Sequence, residues 1–199
     1  MTPNPLLTPQ EAQRLGAARV GIAGAGGLGS NIAMHLTRAG VGHLTVVDFD
    51  VVSESNLNRQ FYFRDQLGLP KVAALCTNLL RIAPALDLRP HAQRLTEADF
   101  CPTFADCDIV VEAFDNPESK VAFLRALLPT GKPLVCASGM AGWGRSGAIA
   151  LRRLGPTLYL AGDASTAASA TCPPASPRVG IVAALQANTV IALLLGVQP

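Results

Sequence analysis

A glycine-rich turn is the first segment whose residue types indicate chemistry. The segment GAGGLG at residues 24–29 fits G-x-G-x-x-G and stands between a short apolar run and a stretch of helical character. Such glycines allow a tight turn, and the helix that follows offers free N–H groups and a positive dipole end to a phosphate. The turn therefore predicts nucleotide binding by Gly24, Gly26, Gly27, Leu28 and Gly29. On its own it favours NAD, the ligand of many proteins with this turn.

Charged and amide side chains follow the next apolar run. The run HLTVVD ends in Asp48, which is placed to accept hydrogen bonds from ribose hydroxyls. Asp50 follows, and then Asn56, Arg59 and Lys71. Two cations and an amide close to a glycine turn suit a triphosphate and its leaving pyrophosphate. The cluster favours ATP over a dinucleotide, and solvated surface charges are the alternative interpretation of the two cations.

A further aspartate completes the predicted site. Asp115 ends the run DIVVEAF, at the carboxyl end of another predicted strand, where ligands gather in open α/β sheets. A carboxylate there is suited to hold Mg²⁺ against the phosphates. We therefore expect Asp115 to be a magnesium ligand.

Alternating strands and helices must position these residues. Strand, glycine turn, helix and strand within about thirty residues make a βαβ unit. The alternation predicts an α/β fold in one domain, with a Rossmann-like, largely parallel sheet and helices on both faces. We expect an N-terminal helical arm at 1–18 and a nucleotide-binding domain at 19–199. Beyond the βαβ unit, we expect helices at 71–82, 117–128 and from about 179, strands at 108–114, 133–138, 147–151 and 157–160, and a long loop at 161–178.

Composition narrows the class of protein. Apolar residues make up 49% of the 199 residues and charged residues 15%, against roughly 25% charged in an average globular protein. This argues for a compact fold with much buried surface, including a subunit interface. A net charge of +2 and 5% aromatic residues give no case for nucleic acid as a partner.

Compartment and membrane contacts are also constrained. No apolar run in the first nineteen residues resembles a signal peptide, and five Cys without a C-x-x-C pair are typical of free thiols in a reducing cytoplasm. The apolar segment 179–195 is shorter than the roughly 20 residues that span a bilayer. It also contains Gln186, Asn188 and Thr189. We therefore expect a cytoplasmic protein without a membrane partner, whose last helix is buried or forms an interface.

Several stretches resemble the ThiF/MoeB/HesA family, the bacterial relatives of ubiquitin-activating enzymes. They are RVGIAGAGGLGSN, AGVGHLTVVDFDVVSESNLNRQFYF, GLPKVAAL, VVEAFDNPESK and GIVAALQANTVIALLLG. The resemblance implies an adenylyltransferase that uses Mg-ATP to activate the C-terminal Gly-Gly of a small ubiquitin-like sulfur carrier protein as an acyl-adenylate. It also implies that Asp48 binds ribose, that Asn56 contacts phosphate, and that Arg59, Lys71 and the magnesium ligand Asp115 act in catalysis.

The runs CASGMAGWG and SPRVGIVAALQAN are most similar to a compact branch, ThiF family 2. That branch adenylates the carrier ThiS in thiamine (thiazole) biosynthesis. The alternatives are the same chemistry on a carrier of a molybdopterin or cysteine pathway, a peptide or tRNA substrate, an NAD(P)-dependent oxidoreductase, and a non-catalytic scaffold. Longer members bind structural zinc through two C-x-x-C pairs, so no zinc is expected here. The cysteines without such a pair are Cys76, Cys101, Cys107, Cys136 and Cys172.

Two further features of longer relatives bear on this chain. Some of them handle sulfur with a loop cysteine, and Cys172 lies in a loop at roughly that place. We expect an incidental thiol there, with sulfur handling as the alternative. The resemblance, the apolar composition and the last helix predict a homodimer. Longer dimeric relatives send an N-terminal arginine into the partner's site, and Arg14 is the candidate for that role.

Overall fold

A seven-stranded sheet forms the centre of the protein. The computed structural model describes residues 7–199, and these form seven strands and six α-helices. The strands are β1 (Arg19–Ala23), β2 (His43–Val47), β3 (Asp87–His91), β4 (Ile109–Glu112), β5 (Leu134–Ala137), β6 (Ala150–Arg153) and β7 (Leu158–Gly162). Their order across the sheet is β3-β2-β1-β4-β5-β7-β6, and all neighbours are parallel except the antiparallel pair β6 and β7. The predicted Rossmann-like, largely parallel sheet is confirmed.

Helices cover both faces of this sheet. They are α1 (Pro9–Ala17), α2 (Gly27–Ala39), α3 (Lys71–Ile82), α4 (Glu97–Thr103), α5 (Pro117–Leu127) and α6 (Ser176–Leu195). One core lies between the sheet and α2, α3 and α6, and a second lies between the sheet and α4 and α5. Strand side chains alternate between the two cores, so the central strands are apolar along their whole length. This explains why their sequences are continuous apolar runs.

The segment between α3 and β4 contains two elements that the sequence analysis did not predict. It contains β3 and α4. β3 lies at the sheet edge, is largely exposed and includes Pro90, so it lacks an apolar signature. α4 contains Pro102, which is unusual in a helix interior. The ring of Phe104, which follows α4, packs directly against Gly21 of β1. A Cβ on Gly21 would lie only 2.5 Å from that ring.

Several predicted boundaries move. α2 begins at Gly27, since the end of the glycine turn is itself the first helical turn, and α6 begins at Ser176. The short strand pair is confirmed, but β6 lies about three residues later than expected and β7 continues to Gly162. α3 has the predicted bounds, with Pro70 immediately before it.

The last helix is part of the fold's interior. Among the described residues α6 is the one helix that is long and apolar enough, by length and composition, to cross a membrane. It packs against α2 and the sheet, and eight of its residues are buried. The Nε2 of Gln186 donates to the carbonyl oxygens of Glu112 (3.0 Å) and Val135 (3.1 Å). α6 is therefore anchored to β4 and β5 by polar contacts that a lipid-facing helix would not need.

α1 packs against the C-terminal end of α6. Arg14 donates from Nη1 to the carbonyl oxygen of Leu195 at 3.1 Å, and Leu15 is buried. A cation at a helix C-terminus interacts favourably with the helix dipole. In this protomer Arg14 therefore satisfies the end of α6.

We expect Gly29→Ala to lower the free energy of unfolding by about 1–3 kcal/mol, the usual cost of overpacking. A Cβ on Gly29 would overlap the carbonyl oxygen of Gly24. The matched control is Gly16→Ala, where a Cβ meets nothing within 4 Å. Because alanine has a higher helix propensity than glycine, this change should raise the free energy of unfolding by roughly 0.5–1 kcal/mol. Urea denaturation measures both, and equal effects would contradict the close-packing explanation.

Candidate functional site

A cleft of about 970 Å³ lies at the carboxyl ends of the parallel strands. This is the edge at which open α/β sheets bind ligands. The structure brings nine of the sequence-predicted residues to its lining. They are Gly24, Gly26, Gly27, Leu28, Asp48, Asp50, Arg59, Lys71 and Asp115.

The glycine turn approaches neighbouring backbone closely. Gly24 has φ +105°, and a Cβ there would lie 2.7 Å from the carbonyl oxygen of Ala113. Gly26 is the N-cap of α2, and no side chain among the described residues caps that end. The first N–H groups of α2 are thus available to an anion. Gly29 does not line the cleft; its role is the close contact between α2 and Gly24.

Asp48 links the glycine turn to the end of β2. Its Oδ2 accepts from the backbone N–H of Ala25 at 2.7 Å, and its Oδ1 accepts from that of Asp50 at 2.8 Å. Burial raises the pKa of Asp48, and these hydrogen bonds and the Lys71 charge partly oppose that rise. Each oxygen keeps further acceptor capacity. Asp48 is therefore a fixed, two-oxygen acceptor in the cleft, as ribose hydroxyls require.

Lys71 is a nearly buried cation with one acidic partner. Its side chain is 7% exposed, and Nζ lies 2.8 Å from Oδ2 of Asp50. Its backbone N–H also donates to the Asp50 carbonyl oxygen at 2.9 Å. An entering triphosphate would compete with the Asp50 carboxylate for this ammonium group.

The side chains of Arg59 and Asn56 have different surroundings, although the Arg59 backbone N–H donates to the Asn56 carbonyl oxygen at 3.1 Å. Arg59 lines the cleft, and its guanidinium donates from Nη1 to the carbonyl oxygen of Ser55 (3.1 Å) and Oδ1 of Asn58 (2.8 Å). Asn56 is not part of the lining: its Oδ1 accepts from the backbone N–H of Ser53 at 3.1 Å. The Asn56 amide thus caps a short 3₁₀ turn, a role that its spacing in the sequence does not reveal.

Asp115 is a carboxylate on the cleft, between β4 and the start of α5. The next residue, Asn116, caps α5 by accepting from the N–H groups of Glu118 and Ser119. No group of three or more His, Cys, Asp or Glu side chains that could hold a metal occurs in residues 7–199. Mg²⁺ is commonly held by one or two carboxylates together with substrate phosphates. Asp115 therefore fits an ion that arrives with a nucleotide.

Two charged groups in the cleft were not identified from sequence. Lys120 donates to both oxygens of Glu112 (2.8 and 2.9 Å) and to the carbonyl oxygen of Ala137 (3.0 Å). Burial raises the pKa of Glu112, and Lys120 opposes that rise. Arg94 lies over the ring of Phe49, with its guanidinium carbon 3.9 Å from the centroid. Neither has a sequence signal, because their partners are not adjacent in the chain.

Cys172 is half-buried and does not line the cleft. Its backbone N–H donates to Oγ of Ser169 at 3.1 Å. All five cysteines are free. Among the described residues, Cys172 therefore has no polar contact with the part of the cleft that the glycine turn lines.

The family follows from sequence comparison. The ThiF family model matches residues 3–199, so this chain belongs to the ThiF family. "Adenylyltransferase and sulfurtransferase MOCS3" of Bos taurus is 39% identical over 137 residues, which are 68% of this chain and 30% of that protein. "Adenylyltransferase and sulfurtransferase UBA4" of Eremothecium gossypii is 32% identical over 188 residues, which are 92% of this chain and 39% of that protein. The chain thus spans well under half the length of these relatives.

Solved structures share the fold. The E. coli tRNA N6-threonylcarbamoyladenosine dehydratase TcdA in complex with ATP has a TM-score of 0.87 and 19% identity, covering 94% of this chain and 90% of that one. E. coli MccB with ATP has a TM-score of 0.71 and 23% identity, covering 92% of this chain and 57% of that one. At these identities the likeness concerns the fold.

Proposed function

We propose that this protein is a Mg-ATP-dependent adenylyltransferase. It activates the C-terminal Gly-Gly carboxylate of a small ubiquitin-like sulfur carrier as an acyl-adenylate and releases pyrophosphate. The observation that carries the proposal is the cleft that joins an anion-binding glycine turn to Asp48, Arg59, Lys71 and Asp115. The names of the relatives as adenylyltransferases, and the ATP in two structural neighbours, support it.

The chemistry suits these residue types. The nucleophile is a carboxylate, which is ionised at neutral pH and needs no general base. The protein must bring two anions together and stabilise charge on the α-phosphate and the leaving pyrophosphate. Arg59, Lys71 and the N-terminus of α2 supply fixed positive charge for that purpose. Asp48 orients the ribose, and Asp115 would hold Mg²⁺, which offsets phosphate charge when bound.

The carrier ThiS and thiamine (thiazole) biosynthesis are the specific assignment we propose. It rests on the resemblance of this chain to the compact ThiF branch. The competing substrates are other carriers, a peptide and tRNA. They remain alternatives because of the relatives named MOCS3 and UBA4 and the structural neighbours TcdA and MccB. Five free thiols support a reducing cytoplasm as the site of the reaction.

ATP–pyrophosphate exchange with purified carriers tests the proposal. We expect exchange that depends on Mg²⁺ and on a carrier ending in Gly-Gly, with ThiS giving more than a molybdopterin-pathway carrier. Calorimetry should show ATP binding. Binding of NAD with no response to ATP would instead identify an oxidoreductase.

We expect Arg59→Ala, Lys71→Ala and Asp115→Ala each to lower exchange by about 10²–10³, the usual cost of losing one group that stabilises developing charge. Circular dichroism should show an intact fold. Arg64→Ala and Asp65→Ala are matched controls, since both residues are exposed, lie nearby and are absent from the cleft lining. Near-normal exchange in Asp115→Ala would remove the metal assignment.

We propose a homodimer in which the exposed face of α6 meets a second copy. Ile181, Ala184 and Asn188 share this face at helical spacing, and Ile181 is 39% exposed. Ile181→Asp should therefore convert a dimer to a monomer in light scattering. Val121→Asp, an equally apolar exposed position on α5, should leave the mass unchanged. A monomeric parent protein at tens of micromolar, well above ordinary micromolar affinities, would count against the dimer.

Cys172 is proposed to be an incidental thiol. Attack of a carboxylate on the α-phosphate gives a thiol no task, so Cys172→Ser should keep full pyrophosphate exchange. The same variant should also keep thiocarboxylate formation on the adenylated carrier, measured by mass spectrometry. Loss of the thiocarboxylate with normal exchange would show that Cys172 handles sulfur.

A further inference from the structure

The end of the cleft beyond Asp115 is lined by two loops of mostly small residues, together with Met140. Gly139 and Ala141 follow β5, and the loop Ala164–Ala168 follows β7. Asp48 and the glycine turn stand at the ends of β2 and β1, and Asp115 stands at the end of β4. A nucleotide over those three strands leaves the ends of β5 and β7 for the second substrate. We call the loop Ala164–Ala168 the distal wall.

A buried ion pair lies behind the distal wall. Arg178 Nη2 is 2.6 Å from Oδ2 of Asp163, and both side chains are 3% exposed. Arg178 belongs to the first turn of α6, where a positive charge is unfavourable with respect to the helix dipole. The arginine is therefore poorly explained as a contribution to helix stability.

The pair connects the loops that end the cleft. Oδ1 of Asp163 accepts from the backbone N–H groups of Ser165 and Thr166, both at 2.8 Å, and Oδ2 accepts from Oγ1 of Thr166 at 2.7 Å. Nη1 of Arg178 donates to the carbonyl oxygen of Gly144 at 2.6 Å. One carboxylate and one guanidinium thus hold the distal wall and the loop after β5 in a fixed relation.

The backbone around Gly139 and Ala164 is tightly constrained. Ala164 has φ +58°, which is unusual for a residue with a Cβ. A Cβ on Gly139 would overlap Oδ1 of Asp163. The backbone N–H of Ala164 donates to the carbonyl oxygen of Ser138 at 2.9 Å. The start of the distal wall is therefore held in a strained conformation by its neighbours.

We propose that Asp163 and Arg178 are positioning residues that fix the distal wall for the carboxyl terminus of the acyl substrate. The proposal rests on the adenylyltransferase function above. Buried ion pairs are often replaceable by apolar side chains without loss of stability. An apolar pair would have no acceptor for the N–H groups of Ser165 and Thr166 and no donor for the carbonyl oxygen of Gly144. The pair therefore holds the backbone groups of Ser165, Thr166 and Gly144 in one geometry, which is what a substrate-binding wall requires.

The test compares substrate dependence in full-length variants. Arg178→Lys keeps the charge but loses the planar fork that reaches both Asp163 and Gly144. Asp163→Asn keeps size and an acceptor oxygen, and provides a second variant should the first fold poorly. With ATP and ThiS as probes, we expect the KM for ThiS to rise by roughly tenfold to a hundredfold while ATP affinity from calorimetry is unchanged. Amide hydrogen exchange in residues 164–168 should become faster.

The control is Leu127→Ala, which removes a buried side chain from the opposite face of the sheet. It should lower stability without changing the KM for ThiS or exchange at residues 164–168. The proposal is wrong if both variants keep the wild-type KM for ThiS and the wild-type amide hydrogen exchange at residues 164–168. It is also wrong if ATP affinity falls together with ThiS affinity, or if Leu127→Ala changes the KM for ThiS or the hydrogen exchange in the same way. A wild-type protein that adenylates no carrier would refute the proposed function instead, and hydrogen exchange alone would then decide whether the pair holds the wall.

Discussion

The close packing of α2 against the end of β1 fixes the position of the end of the cleft that the glycine turn lines. Gly29 allows α2 to approach the Gly24 carbonyl more closely than any residue with a side chain would permit. The first turns of α2 then hold the segment that carries Arg59. The Nδ2 of Asn31 donates to the Arg59 carbonyl oxygen at 3.0 Å, and the backbone N–H of Phe61 donates to Oγ of Ser30 at 3.0 Å. A helix that stood farther away would lose both contacts.

Three cations at or near the cleft are paired with carboxylates. Lys71 contacts Asp50, Lys120 contacts Glu112, and Arg178 contacts Asp163. These pairs differ in accessibility: Lys120 uses its donors within the protein, whereas Asp50 is about half-exposed and can give up its partner to a more negative group. Fixed charges of this kind need little reorganisation when negative charge develops on a substrate. Lys71 is thus the cation whose partner is accessible to solvent, whereas Lys120 and Arg178 also donate to backbone carbonyl oxygens.

The central part of the fold could be predicted from sequence because its signals are local. β1 and β2 are continuous apolar runs, the glycine turn directly follows β1, and Pro70 marks the start of α3. β3 could not be predicted, since an exposed edge strand with Pro90 carries no burial pattern. The site shows the same division. The position of Asp48 and Asp115 on the cleft could be predicted because both follow apolar strands, whereas Arg94 over Phe49 depends on a contact between residues far apart in sequence. Asn56 stood among the expected phosphate contacts, and only the structure shows its amide capping a turn.

Lys71 is attached to Asp50 at two points of different kind. The backbone N–H of Lys71 binds the Asp50 carbonyl oxygen, and the ammonium group binds the Asp50 carboxylate. The ammonium can therefore change partners while the backbone bond still holds the first residue of α3 against the loop after β2. Under the proposed function, exchange of the carboxylate for a phosphate would then need a side-chain rotation rather than a movement of secondary structure. The start of α3 therefore stays fixed, and the proposed nucleotide could bind without movement of the main chain at this end of the cleft.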